Sequence, residues 1–184
     1  MNRFEPMLSQ GDLTSDGLAD EVVQIVRARP ELLPDLVDAL ASETPAIRGH
    51  AADALEKLAR TLPQEVAAWL PRIVDAGLQD ELPMVRWHMA MVLGHLSPVR
   101  GTVATSIRTL FRQLADPSPF VRSWAITSLC RLGRDHPSEH RRIAPRIAKL
   151  TTDPRPSVAK RARTALRLLM HPEDRMPMSS VKRA

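Results

Sequence analysis

One pattern recurs four times along this chain: TPAIRGHAADAL (44–55), LPMVRWHMAMVL (82–93), SPFVRSWAITSL (118–129) and RPSVAKRARTAL (155–166). Its proline falls at 45, 83, 119 and 156, so the spacings are 38, 36 and 37 residues. A period of that length is the mark of stacked supersecondary units and limits the chain to repeat architectures. Two residues after the proline stands Ile47, Val85, Val121 or Val158. Four further on comes Ala51, Met89, Ala125 or Ala162, and four beyond that Leu55, Leu93, Leu129 or Leu166. Apolar residues at i, i+4 and i+8 form one stripe of an α-helix. Proline at the first turn starts such a helix, because its missing N–H has no partner there in any case.

Ahead of each pattern lies a second amphipathic stretch: ELLPDLVDALA, QEVAAWLPRIVDAGL, ATSIRTLFRQLA and HRRIAPRIAKLT. Each unit is therefore a helix pair, and an extra helix near 15–28 caps the first. A single pair leaves apolar faces uncovered, so pairs must stack along a continuous core. The composition agrees: no Tyr, three Phe and three Trp, with the apolar content carried by small aliphatic residues suited to close helix packing. The expected fold is all-α, a right-handed α-solenoid of four helix pairs with an N-terminal capping helix, about nine helices in all. Residues 13–170 would form it; 1–12 and 171–184 lack periodicity and are expected to be disordered.

The stretches DELPMVRWHMAMVLGHL and DPSPFVRSWAITSLCRLG resemble HEAT repeats, whose units join a first helix, an Asp-containing turn and a second helix opening with Val-Arg. The resemblance covers about residues 30–170, and within the family the chain is similar to short stand-alone bacterial members with no established activity. It implies that the second helices line a concave surface, and that the turn Asp and the Arg six residues later build a ladder between repeats. Asp80 with Arg86 and Asp116 with Arg122 have that spacing. The end units depart from it: Ser42 precedes Arg48 where Asp is expected, and Ala159 follows Asp153 where Arg is expected.

A helical wheel at roughly 100° per residue then sorts the stretch MVRWHMAMVLGHL (84–96). Val85, Met89, Val92, Leu93 and Leu96 face the core. Trp87 falls near the opposite side with Met91 beside it, and either anchors a partner or folds down as filler. The surface column containing Trp87 reads Gly49, Trp87, Ser123, Lys160; that containing Met91 reads Asp53, Met91, Thr127, Thr164. His50 and His88 flank the core at equivalent positions. His88 and His95 stand seven residues apart, about 10.5 Å along a helix, too far to share one metal ion.

Charge is distributed unevenly. Residues 1–80 hold 7 Lys and Arg against 14 Asp and Glu, a net of −7; the remaining 19 basic and 7 acidic residues give +12, which together make the overall +5. On the last second helix Lys160, Arg163 and Arg167 fall at i, i+3 and i+7, on one side. Such a stripe suits an acidic protein, the phosphates of a nucleic acid, or simple solvation of an end repeat. Contact between the acidic end of one copy and the basic end of another is a further option.

No phosphate-binding glycine loop and no hydrolase or zincin motif occurs. Cys130, the one cysteine, rules out an intrachain disulfide and lacks a recognisable base. No apolar run approaches the roughly 18 residues of a membrane span, and the start lacks the apolar segment of a secretory signal. The expectation is a cytoplasmic, non-catalytic scaffold without metal or cofactor. It would bind a protein or peptide along its concave face through Trp87, Met91, Trp124, Arg131, Lys160, Arg163 and Arg167. The alternative is a nucleic-acid-binding solenoid that grips phosphates through its Arg-rich C-terminal repeats.

Overall fold

Each of the four repeat prolines opens an α-helix. The residue before it is extended in every case, with ψ of 116° at Thr44, 120° at Leu82, 124° at Ser118 and 112° at Arg155, because the proline ring crowds the helical conformation of its predecessor. The computed structural model describes residues 2–13, 15 and 17–176, and among them every regular element is helical. In chain order the α-helices are Glu5–Leu8 (α1), Ala19–Ala28 (α2), Leu33–Asp38 (α3), Pro45–Ala59 (α4), Pro63–Ala67 (α5) and Leu70–Gln79 (α6). Pro83–His95 (α7), Val103–Gln113 (α8), Pro119–Asp135 (α9), His140–Ala148 (α10) and Pro156–Met170 (α11) follow. The pairs α3/α4, α6/α7, α8/α9 and α10/α11 are the four repeats, and α2 caps the first. Two elements exceed the expected nine: α1, and α5, which is cut from α6 because Pro71 stands at a helix start and cannot donate into a longer one.

The second helices pack side by side, α4 on α7, α7 on α9 and α9 on α11, while the first helices form the other layer. The apolar columns lie between the layers: Val85, Met89, Val92, Leu93 and Leu96 are all fully buried. Where α7 meets α9, a Cβ on Gly94 would stand 2.7 Å from Cβ of Ser128, so only glycine permits that approach. The array belongs to the α-solenoid class.

A ladder of ion pairs runs through the turns. Arg48 Nε lies 2.8 Å from Asp80, Arg86 Nε 2.7 Å from Asp116 and Arg122 Nε 3.1 Å from Asp153. The same arginines donate through Nη1 to the backbone carbonyls of Ser42, Asp80 and Asp116, six residues back. Each aspartate also receives the N–H two residues on, from Leu82, Ser118 and Arg155. The carboxylate partner of each arginine thus belongs to the following repeat. The end units fit this pairing: among the described residues no arginine of a preceding repeat faces Ser42, and no aspartate of a following one faces Ala159. Asp116 holds Arg86 more firmly in its charged form than an ordinary arginine.

The described residues at both ends, where the sequence predicts disorder, are tied to the array. Phe4 and Leu8 are buried in the core, a burial that stabilises by about 1.5–3 kcal/mol per side chain. Asn2 Nδ2 donates to the carbonyl of Asp35, 2.5 Å away. Both ring nitrogens of buried His50 meet backbone carbonyls of this segment: Nδ1 at Leu8 (2.7 Å), Nε2 at Asp12 (3.1 Å) and Ser15 (2.9 Å). At the other end Arg134 donates to the carbonyls of Pro172 (2.6 Å) and Asp174 (2.7 Å), and Met176 packs on the core. The remainder of the expected tail, 177–184, lies outside the described residues.

Candidate functional site

The second-helix layer has an inner face, turned away from the first helices, and the repeat frame sorts it into columns. The residue five places after each proline is His50, His88, Trp124 or Arg161; eight places after it stands Asp53, Met91, Thr127 or Thr164. Across each helix junction the first kind meets the second kind of the preceding repeat. His88 Nε2 lies 3.3 Å from Asp53 Oδ1, Trp124 lines a crevice with Met91, and Arg161 Nη1 donates to Thr127 Oγ1 at 3.3 Å. One geometry therefore holds three different chemistries.

At the α4/α7 junction the face is closed. His88, Asp53 and Glu56 are 1%, 3% and 0% exposed. Asp53 Oδ2 lies 2.7 Å from Lys57 Nζ. Glu56 accepts from Arg60 Nε at 2.9 Å and Nη2 at 2.6 Å, and from His95 Nε2 at 2.7 Å. A guanidinium only donates, so the 2.5 Å contact of Arg131 Nη1 with His95 Nδ1 requires a lone pair on Nδ1 and the proton on Nε2. Burial pushes the His95 pKa down, against the pull of Glu56. Burial works to raise that of Glu56, but hydrogen bonds from His95 and Arg60 hold it below its ordinary value.

At the α9/α11 junction the face is open. Phe120 is 62% exposed, with its ring centroid 5.4 Å from that of Trp87. Half-buried Trp124 carries the Arg161 guanidinium 5.6 Å from its ring centroid. A cleft of about 240 Å³ lies between them, bounded by Pro119, Phe120, Ser123, Trp124, Ser157 and Arg161. Burial alone pulls the Arg161 pKa down, and among the described residues no carboxylate lies within ion-pair distance of its side chain.

The structure brings together only part of the expected set. Trp124, Met91 and Arg131 share a small crevice with His95 and Thr127, and Trp87 joins this surface through Phe120. Met91 is 4% exposed; expected beside Trp87 as surface, it is buried where α7 packs on α9, in a crevice it shares with Trp124 of the next repeat. The basic stripe divides. Lys160 is exposed, Arg163 donates to the Thr151 carbonyl at 2.7 Å, and Arg167 pairs with Asp174 at 2.5 Å. Sequence reasoning missed Phe120 and Arg161. Their signals were the column Ala46, Met84, Phe120, Ser157, just after the proline, and the His50 column itself.

Other chemistry finds little support. Burial pushes the Cys130 thiol up to about 11, which keeps it protonated and unreactive near neutrality. Among the described residues no group of three or more His, Cys, Asp or Glu is placed to hold a metal ion, and no helix is long and apolar enough to cross a membrane.

The HEAT-repeat family model matches residues 70–167, just over half of the 184 residues, and the chain belongs to that family. Solved α-solenoids resemble it at low identity. The complex of CpcE and CpcF of phycocyanin lyase from Nostoc sp. PCC7120 is 22% identical with a TM-score of 0.65, over 80% of this chain and 86% of that one. A computationally designed armadillo repeat protein for modular peptide recognition is 20% identical with a TM-score of 0.66, over 80% and 68%. The archaeal HEAT-like repeat protein of Thermococcus onnurineus NA1 is 21% identical with a TM-score of 0.55, over 83% and 60%. None of the curated proteins matches the chain in sequence.

Proposed function

We propose that this protein is a non-catalytic cytoplasmic scaffold that binds a protein or peptide along its inner, concave face, centred on Trp87, Phe120 and Trp124. The observation that carries this reading is Phe120, 62% exposed in a row of rings beside Arg161, whose guanidinium lies over Trp124 and has no carboxylate within ion-pair distance among the described residues. Aromatic residues and arginine dominate the energetics of protein interfaces, and a soluble protein seldom leaves such a group uncovered without a use. The excess of guanidinium over carboxylate on α9 and α11 gives the partner an acidic character. The designed armadillo neighbour, a peptide-recognition protein, supports the same use of this architecture.

Panning a random peptide library against the full chain tests the reading. Selected peptides should lose at least tenfold in affinity, about 1.4 kcal/mol, on Trp124→Ala while the thermal melt stays cooperative. Binders indifferent to Trp87→Ala, Phe120→Ala and Trp124→Ala alike would overturn it. The nucleic-acid alternative has its own readout. Labelled duplex DNA and RNA bound through phosphates would show log affinity falling linearly and steeply with log salt, and Arg163→Glu with Arg167→Glu would abolish it. The ties of those two arginines to Thr151 and Asp174 speak for the peptide.

A further inference from the structure

Resting on the inner-face reading, we infer that the cleft between α9 and α11 recognises a two-part determinant in an acidic peptide: one large apolar side chain seated between Phe120 and Trp124, and a neighbouring carboxylate paired with Arg161.

Three observations converge on it. The cleft holds about 240 Å³, below the roughly 300–1,000 Å³ typical of small-molecule sites and suited to a single side chain. Its lining sets Phe120 and Trp124 beside a guanidinium whose carbon lies 5.6 Å from the Trp124 ring centroid. Nη1 of Arg161 donates to Thr127, and the N–H groups of Nε and Nη2 are the pair through which an arginine can bind a carboxylate by two parallel bonds.

The charge balance selects the occupant. On the second helices Arg48, Arg86 and Arg122 each have an aspartate and Arg167 has Asp174, while exposed Arg163 and the neighbouring Arg134 are held by backbone carbonyls. Arg146, over the Phe111 ring on the outer layer, has no carboxylate among the described residues either, but it does not line this cleft. Among the described residues, the one hydrogen bond of Arg161 to another side chain goes to a neutral hydroxyl, that of Thr127. One turn beyond Thr127 on α9, Arg131 spends Nη1 on an imidazole, so the second guanidinium on this face is also bound to a neutral group. A half-buried cation without a counter-charge is costly, and a carboxylate brought by a partner relieves that cost only in the complex. A basic peptide would meet two cations here, and an uncharged apolar one would leave Arg161 as it is.

Fluorescence anisotropy with the full chain tests this, using a fluorescein-labelled octapeptide with one Trp among Glu residues. Three controls replace its Trp by Ala, its Glu by Gln, or its Glu by Lys. The Glu/Trp peptide should bind at least tenfold more tightly than each control. Arg161→Gln should weaken the Glu/Trp peptide about tenfold and leave the Gln/Trp peptide within twofold. Phe120→Ala should weaken the Trp peptides and spare the Ala peptide. Both variants should melt like the parent, since neither side chain is in the core.

Equal or tighter binding of the Lys peptide, an effect of Arg161→Gln that ignores peptide charge, or no binding of the Glu/Trp peptide overturns the inference. Library-selected peptides that still depend on Trp124 would then leave the inner-face reading standing. Selected peptides that ignore the face would remove both.

Discussion

The junction between α4 and α7 and the junction between α9 and α11 are built on the same frame and end in opposite states. Each has a proline at its helix starts, apolar columns beneath and a rung of the Arg–Asp ladder beside it. Yet the contact that is His88 with Asp53 at the first is Arg161 with Thr127 at the second. The first pairs opposite chemistries inside the molecule and seals them. The second sets a cation against a hydroxyl and leaves rings uncovered. A repeat array thus separates its duties: turn and core columns carry stability at every junction, while two inner columns decide where a partner can bind.

The largest expected effect breaks the closed side. Glu56→Ala removes the acceptor shared by Arg60 and His95 and leaves buried donors without a counter-charge. A loss of about 3–5 kcal/mol is expected, as for breaking a buried ion pair, read from urea denaturation followed by circular dichroism. Arg161→Gln in the same assay should move stability by no more than about 0.5 kcal/mol. Comparable losses from the two would mean that both junctions are structural and the comparison is wrong.

The ladder should behave alike at both junctions. Asp80→Ala and Asp153→Ala each remove a carboxylate that holds an arginine and a turn N–H. Each should cost about 1.5–3 kcal/mol, the range for hydrogen bonds to charged groups. A difference of more than about 1 kcal/mol between them would exceed the normal context scatter of like interactions and show that the frame is not uniform.

Acid should act on the closed side first. Folding lowers the His95 pKa from 6.5, chiefly by burial, so the unfolded chain takes up a proton before the folded one and stability declines as pH falls below 6.5. Glu56, also lowered from its ordinary 4.5, adds a second decline below that value. His95→Gln keeps an amide N–H for Glu56 and a carbonyl for Arg131 without titrating. The upper decline should shrink in this variant and the lower one persist. An unchanged profile from pH 7 to 5 would show that another group governs it.

How much of this was legible in the sequence follows from where the physics lies. Prolines 45, 83, 119 and 156 and the columns below them act within one helix, so the helix pairs and core were readable from spacing alone. The burial of Phe4 and Leu8 depends on the packing of α1 against α4, whose His50 is 42 residues from Leu8 in sequence, and no periodicity announces it. Met91 sits on the surface side of a helical wheel, but its exposure is set by the packing of α9 of the next repeat on α7. The expected partner-binding cations include Lys160, but its neighbour Arg161 is the one that lies over Trp124. The two differ by roughly 100° on the wheel, and only the packing of α11 on α9 tells which of them faces that ring.

That one-residue distinction supplies the smallest and sharpest expectation. Lys160 is exposed, and Arg163 reaches away to the Thr151 carbonyl in the turn before α11. Lys160→Glu with Arg163→Glu reverses two charges on the helix that carries Arg161. If net positive charge attracts the acidic peptide, this double variant should hurt binding more than Arg161→Gln, which removes one charge. If the Arg161 guanidinium beside Trp124 is what matters, the double variant should leave stability within about 0.5 kcal/mol. It should weaken the Glu/Trp peptide only by a salt-dependent factor that vanishes near 0.5 M salt, where the screening length is well under about 8 Å. Arg161→Gln should retain its tenfold effect there. Parallel salt dependence in the two variants would reduce the open junction to a generic basic end, and the contrast with the closed one would then be a matter of charge rather than of shape.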